Sequence, residues 1–205
     1  MKKLRIATLA VTATFILSGC AYRAGYNPTY IPDKSSQYIC AAAVLLYIED
    51  EQEDFVYSGS PASFTGGATT LTIPIGTILK EVAEDVLENN FSGAIAFANS
   101  MNDLRQCEIV YNPKIVHFDY RYNQLRNLFF AITPEIDLTL QVKIYNQDRE
   151  NIFQRKYNTD GYVSGHTFVI SGSPAEEVNE ILHETLYDLL DESLHDASSS
   201  ILLNM

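Results

Sequence analysis

The sequence predicts an α+β fold, with one antiparallel or mixed sheet of about four strands and two helices packed on one of its faces. Three observations predict this fold. Apolar and polar residues alternate in several stretches between residues 116 and 157, as in half-buried strands. Two other segments, beginning near Ile75 and Pro174, repeat apolar residues at helical spacing. The composition, 46% hydrophobic and 20% charged, is that of a chain that can bury a core.

The strands follow one another along the chain. Residues 40–48 form a continuous apolar run of strand length, which is typical of a strand buried on both faces. Residues 116–122 and 136–144 alternate between apolar and polar side chains. A polar turn then leads to residues 152–157, which are expected to return as a hairpin partner.

Both helices carry recognisable end signals. The first stops at an Asn pair, residues 89–90, followed by Gly93. In the second, Ser173 is a candidate N-cap, Pro174 occupies the first helical position and Glu176 completes a capping box. The expected buried stripes are Ile75, Ile78, Leu79, Val82 and Val86 in the first helix, and Val178, Ile181, Leu182, Thr185, Leu186 and Leu189 in the second.

The charge balance disfavours nucleic acid as a partner. The chain has 14 basic and 26 acidic residues. Lys2, Lys3 and Arg5 are the basic residues of the first twenty, so 14 minus 3 leaves 11 basic residues against 26 acids in the remainder. Such a surface repels phosphate backbones, and no basic stripe offsets it.

The N-terminus has the organisation of an export signal. Its three basic residues precede an apolar stretch at residues 6–17, which is too short to span about 30 Å of hydrocarbon. The stretch ends in the sequence LSGC at residues 17–20. No later stretch approaches membrane-spanning length, so we expect a membrane anchor rather than a spanning segment.

This LSGC sequence resembles the lipobox of bacterial lipoproteins. The resemblance implies that residues 1–19 are a signal peptide and that Cys20 becomes a lipidated N-terminus carrying acyl chains such as palmitate. Ala21 follows the cysteine where an inner-membrane retention signal typically has Asp, which implies the outer membrane. The alternative is an ordinary secretory signal with an incidental cysteine.

The remaining chain divides into a tether and one domain. Residues 20–38 contain two prolines, a glycine and a Ser-Ser pair without periodicity, and are expected to be the lipidated N-terminus and a flexible tether. Residues 39–205 are expected to form a single α+β domain facing the periplasm. Within it, residues 58–70 are rich in Gly, Ser and Thr and are expected to form a long, mobile loop.

Two stretches, EIDLTLQVKIYNQDRENIFQRKYNTDGYV and SPAEEVNEILHETLYDLLDESLHD, together with the lipobox, resemble the YajG-like outer-membrane lipoproteins. The helix pattern of that family is matched by Ala175, Asn179, Leu182 and Leu186. The resemblance covers residues 70–196. It implies a hairpin followed by a C-terminal helix, and it includes no invariant catalytic motif.

No catalytic, metal or cofactor site is predicted. Glu180 and Glu184 flank His183 at helical spacing and could form a weak metal site, but a solvated acidic helix face is far commoner. Ser164-Gly165-His166 places a serine near a histidine without a Gly-x-Ser-x-Gly elbow. We expect no enzyme and no cofactor.

Leu128, Phe129 and Phe130 are the candidate partner-binding residues. They belong to an apolar segment between two strands, which would be costly to leave in water. One hypothesis is an apolar edge that binds a protein partner. The alternative, a segment packed as core or as a continuation of a strand, is the commoner outcome.

Cys40 and Cys107 are predicted to form a disulfide. Both precede apolar strand segments, and an exported protein folds in an oxidising compartment. Two buried free thiols are the alternative.

These observations favour a non-enzymatic, outer-membrane-anchored lipoprotein that acts as an interaction or accessory module of the cell envelope. A first alternative is an auxiliary lipoprotein of a lipid or glycolipid transport system that binds an acyl ligand. A weaker alternative is a cell-wall hydrolase.

Overall fold

The structure is a computed structural model that describes residues 20–23, 38–63, 69–100, 107–123, 131–165, 168–169 and 174–205. The predicted α+β class is confirmed, with more strands than the four expected. The described strands are β1 (Cys20–Arg23), β2 (Val44–Tyr47), β3 (Tyr57–Gly59), β4 (Thr69–Ile73), β5 (Ile95–Ala98), β6 (Ile109–Asn123), β7 (Ala131–Asn146), β8 (Asn151–Asn158), β9 (Val163–Ser164) and β10 (Phe168–Val169). The described helices are α1 (Asp50–Glu53), α2 (Ile75–Asn90) and α3 (Pro174–Leu203).

The main sheet is mixed and has the order β10-β7-β6-β2-β5. β2 is parallel to both β5 and β6, whereas β6 and β7 form a long antiparallel hairpin. β8, β9 and β10 pair in turn with successive parts of β7, from its end back to its beginning. The sequence predicts one extended stretch here, punctuated by Gly161 and Gly165 and ending at Ile170. β9 and β10 lie within it as two strands too short to show an alternating pattern.

The alternation predicted for β7 is confirmed. Its five apolar positions are completely buried and face the helices: Ile136, Leu138, Leu140, Val142 and Ile144. In β6 the register shifts between Ile115 and His117, and Val116 is 47% exposed. The alternation predicted for residues 116–122 would bury Val116 together with Phe118. It is wrong at Val116, because this irregularity adds a residue to β6.

Helices α2 and α3 pack on one face of the sheet, as predicted. Leu182 and Leu186 of α3 are completely buried, and α3 continues to Leu203, beyond the predicted stripe. The helices are also joined by polar contacts: Asn90 Nδ2 donates to Asp191 Oδ1 over 2.8 Å. The candidate N-cap Ser173 lies outside the described residues.

β2 is buried on both faces, as its apolar run predicted. Val44 and Leu46 belong to the main core between sheet and helices. Leu45 points to the other face, where it forms a small second cluster with Ala98 and Val110. Among the described residues, no helix is long and apolar enough to cross a membrane.

Part of the expected long loop is ordered structure. β3 and β4 form a small sheet of order β1-β4-β3, and the Tyr57 ring packs edge-on against Phe118, with centroids 5.0 Å apart. The loop prediction is wrong for residues 58–59 and 69–70, which pair as strands. Residues 64–68 lie outside the described residues.

The first residues of the predicted tether form a strand, β1. β1 pairs in parallel with β4, from Cys20 opposite Thr69 to Arg23 opposite Thr72. The start of residues 20–38 is therefore part of a sheet rather than a flexible segment. Backbone hydrogen bonding to β4 accounts for the difference, and a sequence without alternation gives no sign of it.

Candidate interaction surface

The face of the β6–β7 hairpin that points away from the helices carries three successive cross-strand pairs. The register places His117 opposite Thr139, Asp119 opposite Asp137, and Arg121 opposite Glu135. Side chains directly opposite on antiparallel strands lie within interaction distance. We call these six residues, with Tyr162 and Ser164, the polar face.

Arg121 and Glu135 form the most buried contact of the polar face. The side chain of Glu135 is 5% exposed, and Arg121 Nε lies 2.5 Å from its Oε2 atom. Asn123 Nδ2 and Ser164 Oγ donate to Glu135 Oε1 over 3.0 and 3.2 Å. Burial raises the pKa of Glu135, but the hydrogen bonds from Asn123 and Arg121 outweigh it and hold the pKa below its ordinary value.

Tyr162 connects two of the cross-strand pairs. The Arg121 guanidinium lies 3.9 Å from the centre of the Tyr162 ring, within the range of a cation–π contact. The Tyr162 hydroxyl donates to Asp119 Oδ2 over 3.1 Å. Burial and this hydrogen bond to Asp119 raise the pKa of Tyr162, so the hydroxyl keeps its proton at neutral pH.

The two opposed aspartates are each held by a neighbouring group. Like charges directly opposite on a sheet repel each other. Asp119 accepts from the backbone N–H of Tyr120 over 2.8 Å, in addition to the Tyr162 hydroxyl. Asp137 Oδ1 lies 3.4 Å from Thr159 Oγ1, whose hydroxyl also donates to Gly161 O over 2.6 Å, and His117 Nε2 lies 3.8 Å from Asp137 Oδ2.

These contacts form a surface of fixed donors and acceptors. The Ser164 hydroxyl donates to Glu135, whose charge is already compensated by Arg121, so this arrangement holds the serine as a donor rather than activating it. His166, the other member of the sequence pair considered above, lies outside the described residues. The geometry therefore suits recognition of a partner by hydrogen bonds and charge.

The predicted site residues fall in several places. The backbone of Cys20 begins β1. Leu128, Phe129 and Phe130 lie outside the described residues, in the connection between the paired ends of β6 and β7. The partner-binding prediction for them stays a prediction.

His183 is a core residue of α3. It is 4% exposed, and burial lowers its pKa to about 4, so the imidazole is neutral at physiological pH. Within the described ranges, no group of three or more His, Cys, Asp or Glu side chains could hold a metal ion.

The predicted disulfide between Cys40 and Cys107 is not formed; both are free, half-buried thiols. Glu108 N donates to Ala43 O over 3.0 Å, which places Cys107 near Ala42 in the parallel register. Cys40 precedes Ala42 by two residues. Each residue of a strand adds about 3.3 Å, so Cys40 is offset along the strand from the position opposite Cys107. Cys40 packs against the main core and Cys107 against the second cluster, so different surroundings separate them as well.

Sequence reasoning missed the polar face. The alternating polar residues of β6 and β7 were visible, but their pairing depends on the hairpin register. The irregularity after Ile115 changes that register by one residue. A buried Glu135 opposite Arg121 could have been found only by assuming the correct register.

No family model matches the chain, and no curated protein matches it. A solved structure of a Xanthomonas campestris protein of the DUF330 family is similar in fold, with a TM-score of 0.55 and 11% identity over 90% of this chain and 97% of that chain. Two further solved structures are less similar to this chain; each match covers 80% of this chain and 99% of the other chain at 12% identity. They are a hypothetical protein from Chlamydia trachomatis, with a TM-score of 0.46, and the rare lipoprotein B from Shewanella oneidensis, with a TM-score of 0.37. The likeness to the Xanthomonas protein shows a shared fold.

Proposed function

We propose that this protein is a lipoprotein of the outer membrane that faces the periplasm and acts as a non-enzymatic accessory module by binding a protein partner. One observation carries the proposal: an apolar export segment ends in LSGC, so that processing would leave Cys20 as a lipidated N-terminus. The YajG-like resemblance of the hairpin and the C-terminal helix supports the same class.

Two features of the hairpin support a protein partner. The polar face supplies fixed charges and hydrogen-bonding groups, with Arg121 41% and His117 53% exposed in their side chains. The connection after Asn123 contains Leu128, Phe129 and Phe130, which would supply apolar anchors. Protein interfaces commonly combine apolar anchors with polar groups.

Cellular fractionation of a Cys20→Ala variant tests the anchor. Without the thiol, the precursor cannot be lipidated or processed, and we expect it to stay in the inner membrane. Cys107→Ala is the matched control, because Cys107 is a free thiol within the domain, and it should fractionate with the outer membrane. Recovery of the Cys20→Ala protein from the outer membrane would contradict the proposal.

Proximity labelling in the native cell tests the partner. Replacing Leu128, Phe129 and Phe130 together by serine should remove the labelled protein without changing the amount of the lipoprotein. An unchanged labelling pattern would show that these residues do not bind the partner. Native mass spectrometry of the detergent-extracted protein tests the alternative function, because a retained lipid would indicate an acyl-binding transport auxiliary.

A further inference from the structure

We propose that the domain is docked directly on a phospholipid surface through the end at which β1 begins, rather than held away from the membrane. This inference rests on the proposed function, because it takes Cys20 as the lipidated residue. The docking end is formed by Cys20 and the described residues around it: Ser63, Thr69, Thr70, Tyr122 and Asn123. We call this region the anchor end.

The anchor residue is itself part of a sheet. Cys20 pairs with Thr69, and the pairing continues without interruption to Arg23 opposite Thr72. A free segment of the 18 residues 21–38 could extend roughly 60 Å from its lipid. With β1 paired to β4, this distance is not available between the acyl chains and the folded domain.

The contacts of β6 show which end of the domain this is. Tyr120 Oη donates to Gly59 O over 3.0 Å, and Tyr122 N donates to Ser63 Oγ over 3.0 Å. The chain from Gly59 to Ser63 therefore runs toward Asn123, the last residue of β6. β4 is antiparallel to β3, so β4 begins at this same end.

Because β1 is parallel to β4, it also begins there. Cys20 consequently lies at the end of the domain where β6 finishes, so a protein partner that binds residues 128–130 would be bound beside the lipid surface. The opposite end contains the turn between β7 and β8, since Asn146 pairs with Ile109 at the start of β6. The fifteen residues of β6 separate the two ends by about 46 Å, at about 3.3 Å per residue.

The charge distribution agrees with this orientation. Residues 55–79 contain no Asp, Glu, Lys or Arg in a chain that is otherwise strongly acidic. Ser63, Thr69 and Thr70 of the anchor end belong to this neutral segment. The turn at the opposite end exposes Asp148, Arg149 and Glu150.

Neutral strands can approach anionic headgroups without the repulsion that an acidic surface would meet. The first turn of α3 brings Glu176 and Glu177 toward the anchor end, because Ile181 of the same helix lies beside Gly165 and Pro134. The neutral surface is therefore confined to the strands, and it is these strands that we place on the lipid.

Fluorescence quenching by headgroup-labelled nitroxide lipids tests the orientation. The lipidated protein with Cys40→Ser and Cys107→Ser receives either Thr70→Cys or Asp148→Cys, is labelled with one fluorophore, and is reconstituted in phospholipid vesicles. Thr70 and Asp148 are both exposed, so each accepts a label without disturbing the core. We expect strong quenching at position 70 and almost none at position 148.

A double variant, Ala21→Pro with Tyr22→Pro, supplies a second test. Successive N–H groups of a strand point to opposite sides, so one of the two prolines removes a hydrogen bond from β1 to β4. It should float with the vesicles as before and lose most of the quenching at position 70. Floating protein with equal quenching at both positions, or with quenching at position 70 unchanged by the double proline variant, would overturn the docking and leave the lipid anchor intact. Protein that carries no acyl mass and does not float would overturn the anchor and the docking together.

Discussion

The Nε atom of Arg121 lies 2.5 Å from Oε2 of Glu135, and this pair joins the two long strands of the sheet on the face that the helices leave uncovered. Glu135 is buried, whereas Arg121 remains partly exposed and also contacts Tyr162. The pair therefore links the stability of the hairpin to the surface that we assign to partner binding.

Arg121→Ala should lower the free energy of unfolding by about 2 kcal/mol, because it leaves the buried Glu135 charge without its cation. Arg155→Ala is the matched control: Arg155 pairs with Asp196, but its side chain is 56% exposed. That variant should change stability by less than about 1 kcal/mol. Urea denaturation at pH 7 measures both, and equal effects would contradict the special position of Arg121.

The contribution of Glu135 should disappear in acid. Its pKa is lowered in the folded state, so its stabilising effect is present above the unfolded value of 4.5 and is lost as the pH falls through the lower folded value. Glu135→Gln should therefore cost stability at pH 7 and progressively less below pH 4.5. A cost that stays constant over this range would show that the charge of Glu135 is not what stabilises the hairpin.

His183 should cause a loss of stability between pH 6.5 and 4. Burial lowers its folded pKa from 6.5 to about 4, so the unfolded chain takes up a proton first as the pH falls. The difference corresponds to about 3 kcal/mol at pH 4. His183→Leu should remove that part of the pH dependence, which unfolding curves at pH 7 and pH 4 would measure. If both proteins lost the same stability between pH 7 and pH 4, His183 would be exposed to solvent in the folded state.

A charge within the α3 stripe should unfold the domain. Leu182 is completely buried, so Leu182→Glu places an unpaired carboxylate in the core at a cost of several kcal/mol. Leu203→Glu provides the control near the end of the same helix, where the side chain is 85% exposed. Only the first variant should lower the thermal midpoint strongly, and similar midpoints would mean that α3 is packed differently.

Elements with many repeats of their pattern could be predicted with their buried faces, whereas short strands could be predicted only as extended segments or not at all. β7 and α3 each present a long run of buried positions, so the spacing of Leu138, Leu140, Leu182 and Leu186 defined their faces. β1, β9 and β10 have two to four residues, and their strand conformation depends on pairing with distant segments. The polar face requires the register of β6 against β7, which the alternation of apolar and polar residues does not define.

The cysteine prediction failed for a related reason. Cys40 and Cys107 both precede strand segments, which suggested a disulfide. Only the parallel register of β2 and β6 shows that the two residues are offset along the strands. Alkylation of the unfolded protein without reductant, followed by mass spectrometry, should find both thiols modified. A mass 2 Da lower than that of the dithiol chain before alkylation, together with unmodified Cys40 and Cys107, would restore the disulfide.

The N-terminal peptide of the protein isolated from its native membrane tests the central claim most directly. Mass spectrometry should find Cys20 as the first residue, carrying a diacylglyceryl group on sulfur and an acyl chain on nitrogen. A mature protein that begins elsewhere, or that begins at an unmodified Cys20, would contradict the lipid anchor and the function proposed from it.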